Sequence, residues 1–455
     1  MRTFLAALLI ACFGSPASTA RSAPRSDLQR KIDRYLQAYV EQRAFSGVVY
    51  LARGDDPVFA KAYGMANYEH GVPNRLDTRF AIASISKRFT SIVVARLAAE
   101  KKLSESDTLA KWVPDFPSAG KITVAHLLSH HSGVRDPEAL RRTIRMSRTP
   151  AETVEYLKTL PLGSEPGATN SYTTANYAIL AHVIEQVARK PYSDVVRDYV
   201  YRPAGMADSG ELATNSVVPN LATGYMPDPY SDGMAVCGPE DPSWKLGGGA
   251  SYSTARDLHR FARALYGGKL LGSVKPTDHF QHSKILERTA LSSSGSFPGA
   301  GAYLLTFPDD EVTVVVLSNN YATVAGSIAE HVAGIYFGRD APDPRVALAS
   351  NPLPMDPRFA GSYEVVGRPW TFTLSVRDGR PIVAWNEIRK SGLWRIDDDT
   401  WFSPLDWAKL TLRFRADGEF DGKFELPLSE PLAVRRRGPQ ASATSTPTPR
   451  STARP

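Results

Sequence analysis

Residues 81–91 read AIASISKRFTS. The stretch puts Ser84 three positions ahead of Lys87, where a β-like run, Phe80 to Ala83, gives way to a new pattern. Apolar residues follow at Ile85, Phe89, Ile92, Val93 and Leu97, and the pattern ends near Lys101. That spacing predicts a helix with one face turned to a core. Residues three apart on a helix share a face, so the Lys87 amine can reach the Ser84 hydroxyl. A helix's first turn also leaves N–H groups unpaired, and these favour developing negative charge. A buried lysine loses its proton more readily than a solvated one and can then act as a base. Two readings stay open on this segment alone: a nucleophile with its base, or a helix-capping Ser84 with an exposed Lys87. A second Ser-x-x-Lys, Ser118 to Lys121, lies in a Pro/Gly loop that aligns nothing, and it reads as solvated loop.

The surroundings set the fold class. Residues 26–43 carry Leu28, Ile32, Leu36 and Val40 four apart, which predicts an amphipathic helix. Two β-like runs, Ser46 to Ala52 and Pro57 to Tyr63, flank Gly54-Asp55-Asp56, a hairpin pattern. Residues 103–175 are rich in Pro, Gly, Ser and Thr and read as loops and short helices. Further helices are expected from Asn176 to Ala188, from Asp257 through Leu265, and from Val324 to Phe337. Strands are expected at Gly301 to Phe307 and Val312 to Leu317. Strands at both ends of a helical middle imply a mixed α/β (α+β) domain: one antiparallel sheet, assembled from both termini and flanked by helices, beside a mostly helical second lobe.

Composition changes after residue 340. Residues 341–357 are Pro-rich and read as a linker. Residues 358–434 read as a small all-β domain. The part from 361 to 426 holds five of the seven tryptophans, and Asp378-Gly379, Asp417-Gly418 and Asp421-Gly422 supply turns. Residues 435–455 form a basic tail expected to be disordered. That tail carries five arginines and no acid; without it the chain has 49 basic against 47 acidic residues. The folded part is close to neutral, so no nucleic-acid partner is implied.

The N-terminus, MRTFLAALLIACFGSPASTA, has a positive start, an apolar run and small residues before position 21. Residues 1–20 read as a secretory signal peptide. Leu9-Ile10-Ala11-Cys12 resembles a bacterial lipoprotein box, so lipidation of Cys12 is the alternative, and the one route to a membrane. Cleavage after Ala20 leaves Cys237 alone, with no internal disulfide and no thiolate metal cluster.

Several landmarks now break the tie at Ser84. "FSGVVYLARGD", "LLSHHSGV" (127–134), "PGATNSYTTANYAIL" (166–180), "YRPAGM" (201–206), "GGGASYSTARDL" (247–258) and "FPGAGAYLLTFPDDEVTVVVLSNN" (297–320) occur in one order. With them the chain resembles the serine β-lactamase and penicillin-binding-protein superfamily, most of all its class C branch with esterase and D-aminopeptidase relatives. The resemblance implies a β-lactamase-like serine hydrolase domain over residues 26–340. It assigns Ser84, Lys87 and Tyr172 as catalytic residues. The second motif, usually Tyr-x-Asn, maps to Tyr172-Thr173-Thr174, with threonine in place of asparagine. The third, usually Lys-Thr-Gly or His-x-Gly, maps to Ser293-Ser294-Gly295, with serine in place of the basic residue. Thr174, Ser293, Gly295 and Ser296 are thus the expected substrate-binding residues, and the N–H groups of Ser84 and Ser296 the expected oxyanion hole. Only about twenty residues separate Leu271 from Ser293, where relatives commonly carry a strand with a Tyr-Gly-x-Gly-Trp pattern, and that pattern is not found there. Residues 358–434 resemble the lipocalin-like additions of some relatives.

The expected activity is that of an exported hydrolase, periplasmic or secreted in a bacterium, acting through an acyl-enzyme on a small-molecule or peptide substrate. No cofactor and no metal is implied. Ser293 brings no positive charge to a substrate carboxylate, which points to a neutral ester or amide and away from a true β-lactamase. Which of Lys87 and Tyr172 is the base stays open. The competing reading is a catalytically decayed envelope protein that binds peptidoglycan fragments. Adhesion through the β domain is a third. His130-His131 reads as a turn, Gly247-Gly248-Gly249 lacks the Lys-Ser/Thr of a phosphate loop, and the tryptophans read as core of the β domain.

Overall fold

The computed structural model describes residues 22–137, 147–213, 216–238, 240–271, 283–346, 354–385, 389–415, 419–426 and 430–437. The expected signal peptide, Cys12, residues 347–353 of the expected linker and all but three residues of the expected tail lie outside them.

A six-stranded antiparallel sheet runs in the order Ser283–Ile285, Arg288–Phe297, Ala300–Phe307, Val312–Ser318, Gly47–Arg53, Asp56–Tyr63. Strands from both ends of the domain therefore meet at its centre, where Val49 sits opposite Val316. Successive side chains on a strand point to opposite faces. In Gly47–Arg53, Val48, Tyr50 and Ala52 enter one core, and Val49 and Leu51 enter the other. The same split divides Val315 and Leu317 from Val314 and Val316. Burial on both faces explains the unbroken apolar runs. One face packs on the helices α1 (Ser22–Glu41) and Ala325–Tyr336. The other packs on α2 (Ser86–Ala99), Ala255–Tyr266 and the helical lobe, which includes Ala175–Ala188.

A smaller sheet matters more for function. Phe80–Ala81, which leads directly into Ser84, pairs with Ser251–Ser253, and that strand pairs in turn with Gly210–Glu211. The turn that carries Ser84 thus hangs from an edge strand whose partner, Ser251–Ser253, is itself paired on both sides.

The C-terminal part is a nine-stranded antiparallel sheet. Its two edge strands, Lys390–Gly392 and Trp394–Arg395, are separated by Leu393 alone, so the sheet curls into a nearly closed barrel. Its last strand, Leu432–Arg436, pairs Arg436 with Tyr363, so the sheet runs past residue 434 into the segment expected as tail. Trp401 and Trp407 are buried, whereas Trp370 is 37% exposed. Phe402 and Trp407 leave the barrel's own core and join the one beneath α1, where the Trp407 ring lies 4.9 Å from that of Tyr39. Phe402→Ala should therefore cost about 3–5 kcal/mol of stability, the usual cost of deleting a buried aromatic. Denaturant unfolding of full-length protein measures it; a change below about 1 kcal/mol would show that this contact does not hold the barrel in place.

Candidate active site

Ser84 sits on a short 3-10 turn, Ala83–Ile85, at the head of α2. Ala83 adopts a left-handed conformation, φ 46°. A residue with a Cβ rarely does so, and such strain gathers at functional sites. The turn is held from below. Ile82 N donates to Ser251 O, Ser86 Oγ donates to Ala83 O, and Ser251 N donates to Ser86 Oγ.

Lys87 is 7% exposed. Its Nζ donates to Gly248 O at 2.6 Å, to Ser84 Oγ at 3.2 Å and to Thr174 Oγ1 at 3.4 Å. Tyr172 OH donates to Ser84 Oγ at 2.7 Å. The structure thus brings together Ser84, Lys87, Tyr172 and Thr174, and it does not leave Lys87 exposed beside a mere cap. Desolvation drives the Lys87 pKa down to about 7, with the Asp136 charge opposing and the Lys245 charge adding to the fall. Desolvation also raises the pKa of Tyr172, against the pull of its bond to Ser84, so the phenol keeps its proton at neutral pH.

The third motif lies on the strand Arg288–Phe297. A Cβ on Gly295 would stand 2.1 Å from Ile82 O and 3.1 Å from Ser84 N. Only glycine lets the strand come this close to the Ser84 turn. Ser293 is on the same face and 8% exposed; Ser296 is exposed. Arg88 donates from Nε to Ser293 Oγ at 2.8 Å and from a terminal nitrogen to Ser292 O at 3.1 Å. A guanidinium from α2 thus reaches the position where the family motif has a basic residue. Ser292 O turns away from the partner strand, and strand alternation turns the Ser296 N–H toward the same edge, which borders Ser84.

Sequence reading missed four residues here. Asp136 Oδ1 accepts from Thr173 Oγ1 and from the N–H groups of Thr174 (2.8 Å) and Ala175 (3.3 Å), so it caps the Ala175–Ala188 helix and fixes Thr174. His130 is more than a turn residue: its ring lies 4.5 Å from that of Tyr172, and Nδ1 accepts from Thr173 N at 3.3 Å. Desolvation and the Lys87 charge lower its pKa to about 4, so it is neutral and carries its proton on Nε2. Gly248 acts through its carbonyl, and Arg88 through a contact 205 positions away. Only the resemblance, which quotes "HHSG" and "GGGAS", gave any hint of the region. By contrast Ser118 sits on a left-handed turn and Lys121 pairs with Glu165 at 3.3 Å, far from any such arrangement. The missing Tyr-Gly-x-Gly-Trp strand falls largely on residues 272–282, outside the described ones.

The Beta-lactamase family model matches residues 32–284, more than half of the chain. The chain belongs to the beta-lactamase family. Among relatives in this family, the teichoic acid D-alanine hydrolase of Staphylococcus aureus (strain NCTC 8325 / PS 47) is 24% identical over 301 residues, covering 64% of this chain and 73% of that protein. Esterase EstB of Burkholderia gladioli is 28% identical over 286 residues, covering 54% of this chain and 72% of the esterase. The crystal structure of the D-amino acid amidase from Ochrobactrum anthropi superposes with a TM-score of 0.61 at 22% identity, covering 69% of this chain and 99% of the amidase, and shares the fold. Among the described residues no helix is long and apolar enough to cross a membrane.

Gly295→Ala tests the closeness of strand and turn. The added methyl has no room beside Ile82 O, so strand and turn must part. Reaction of Ser84 with a fluorophosphonate should slow about a hundredfold, the scale expected for an ångström of misplacement. Time-resolved intact-protein mass measures it, and an unchanged rate would deny that this contact shapes the site.

Proposed function

We propose that this beta-lactamase family member is a serine hydrolase that works through an acyl-enzyme on an ester or amide, of the esterase or D-amino-acid peptidase type. One observation carries the reading: the Ser84 hydroxyl stands between a phenol that donates to it and an amine whose pKa is near neutral.

A hydroxyl has one hydrogen to give. Because Tyr172 already donates to Ser84 Oγ, the Ser84 hydrogen is left for Lys87 Nζ once that amine is neutral. This arrangement favours Lys87 as the base. Ser84 Oγ attacks the carbonyl carbon while its proton passes to Nζ. The N–H groups of Ser84 and Ser296 receive the oxyanion. Tyr172, protonated at working pH, relays a proton to the leaving group. Water then attacks the acyl-enzyme by the same route in reverse, and Ser84 is restored. Thr174 and Ser293 hold Lys87 and Arg88 in place, and Ser294 and Ser296 line the open edge.

The hydrolase and esterase relatives support this class of reaction. A true β-lactamase is the second reading, because Arg88 brings to Ser293 the positive charge that an anionic lactam needs. Export, to the periplasm or beyond, belongs to the same proposal on the strength of residues 1–20.

Incubation with a fluorophosphonate and, separately, with a penicillin tests the reading by intact-protein mass. Wild type should gain the fluorophosphonate adduct and Ser84→Ala should not. A persistent penicillin adduct would indicate a penicillin-binding role, and rapid turnover of the drug a lactamase. No adduct with either reagent, on folded protein, would leave the decayed binding protein standing.

A pH profile tests the base. Lys87 is charged below about pH 7 and neutral above it, so kcat/KM should rise through that pH and then level. Lys87→Ala should lower kcat/KM about a hundredfold to ten-thousandfold. A wild-type profile flat through neutrality would remove Lys87 from the role.

A further inference from the structure

We propose that Glu211 is a positioning residue for the nucleophile: through Ser251 its carboxylate holds the turn that carries Ser84, and it does so fully only while ionised. The inference rests on the acyl-enzyme reading of Ser84 and adds a control on that site from a residue bonded to none of Ser84, Lys87 and Tyr172.

Glu211 stands opposite Ser251 in the small sheet. Directly opposed residues turn their side chains to one face, about 5 Å apart. The Ser251 hydroxyl accordingly gives its hydrogen to both carboxylate oxygens, at 2.9 and 3.1 Å. Tyr201 OH donates to Oε1 at 2.6 Å. Ser251 is fully buried, and its main chain meets the Ser84 turn on both sides. Its carbonyl takes the Ile82 N–H at 3.0 Å, two residues before Ser84. Its N–H goes to Ser86 Oγ at 3.2 Å, two residues after Ser84, and that hydroxyl donates to Ala83 O at 2.6 Å. The left-handed Ala83 would relax if these contacts slackened. One residue thus brackets the nucleophile, and its one side-chain hydrogen is committed to Glu211.

The hold depends on charge. An ionised carboxylate accepts both hydroxyl hydrogens, and such charge-assisted bonds are about twice as strong as neutral ones. A protonated carboxyl must itself donate, so one of the two hydroxyls has to turn its hydrogen away. Burial pushes the Glu211 pKa up to about 7, against the bonds from Tyr201 and Ser251 that favour the anion. The charged groups of neighbouring elements are paired elsewhere: Arg197 with Asp194, Arg202 with Asp198, Asp208 with Arg79 and Asp257 with Arg260. Burial holds the Tyr192 and Tyr201 phenols well above their ordinary pKa, so both stay protonated. The helix α2 meets the network through uncharged Ser86 and through Thr90, which bonds the Tyr192 hydroxyl. The ionised form also costs stability. Folding favours the protonated acid, so this group's contribution falls as pH rises from about 4.5 to about 7. A neutral amide of the same shape is free of that cost.

Fluorophosphonate reaction of full-length protein, followed by time-resolved intact-protein mass, tests the inference in wild type and Glu211→Gln. At about pH 8 the variant should react roughly tenfold more slowly, short of the hundredfold expected for an ångström of misplacement. At about pH 5.5, where wild-type Glu211 is itself neutral, the two rates should converge. Lys87 titrates in both proteins and cancels in their ratio. The variant's melting temperature at the higher pH should equal or exceed that of wild type. Ser251→Ala should also slow the reaction, and adding Glu211→Gln to it should slow it no further. Equal rates at the higher pH, or further slowing in the double variant, would overturn the inference. So would a gap of one size at both pH values with a lower melting temperature, which is the mark of a packing defect. Any of these on a wild type that labels overturns this inference alone, and an unlabelled, folded wild type overturns the acyl-enzyme reading with it.

Discussion

The site depends on a lysine taken out of water. Lys87 gives its hydrogens to a carbonyl and two hydroxyls, none of them charged. A carboxylate in direct contact would hold the amine protonated and useless as a base. Asp136 is near enough to be felt, yet its bonds go to Thr173, Thr174 and Ala175 at a helix N-terminus. There N–H groups and the helix dipole share its charge. Lys245, itself paired with Glu240, adds a small push in the other direction. The amine's pKa therefore falls to about 7 because burial strips away its water while its acceptors stay neutral, and each acceptor must be held in place by the fold.

That requirement explains several glycines and one strained alanine. Gly248 offers its carbonyl to Lys87 from a position where a Cβ would stand 2.8 Å from Thr174 Cγ2, so glycine lets two of the lysine's partners sit together. Gly295 admits the strand edge to the other side of Ser84. Ala83 takes a left-handed conformation so that the chain can leave the Phe80–Ala81 strand and enter α2 across only the four residues 82–85. The bonds of Ser86 and Ser251 oppose the relaxation of that turn.

The sequence made some of this legible and hid the rest for physical reasons. The central strands of the main sheet were readable as unbroken apolar runs, and the helices around it because their apolar residues repeat at three to four positions. Lys87 was readable as a partner of Ser84 because three residues on a helix share a face. Tyr172 came from the family resemblance alone, since no local pattern links it to a serine 88 positions earlier. Gly248 acts through a carbonyl, which every residue possesses, so no side-chain motif could mark it. Arg88 carried no signal in the sequence, because its partner belongs to a strand 205 positions away. The hairpin between Ser283–Ile285 and Arg288–Phe297 was missed for a different reason. Its turn residues, Leu286 and Glu287, have φ of 53° and 64°, where asparagine or glycine would be expected.

The two departures from the family's motifs are best understood together. Thr174 touches Lys87 and Ser293 touches Arg88, and these two basic residues are neighbours at the start of α2. Each departure puts a small hydroxyl where the usual motif has a longer side chain. Each hydroxyl accepts a hydrogen bond from a basic side chain that reaches it from the helix. A site losing its function tends to lose partners and leave polar groups stranded, because nothing maintains their geometry. Here both replacements are bonded, and Ser84, Lys87 and Tyr172 remain within reach of one another. Both departures are thus absorbed by neighbouring side chains at the start of α2, with no polar group left stranded at either position.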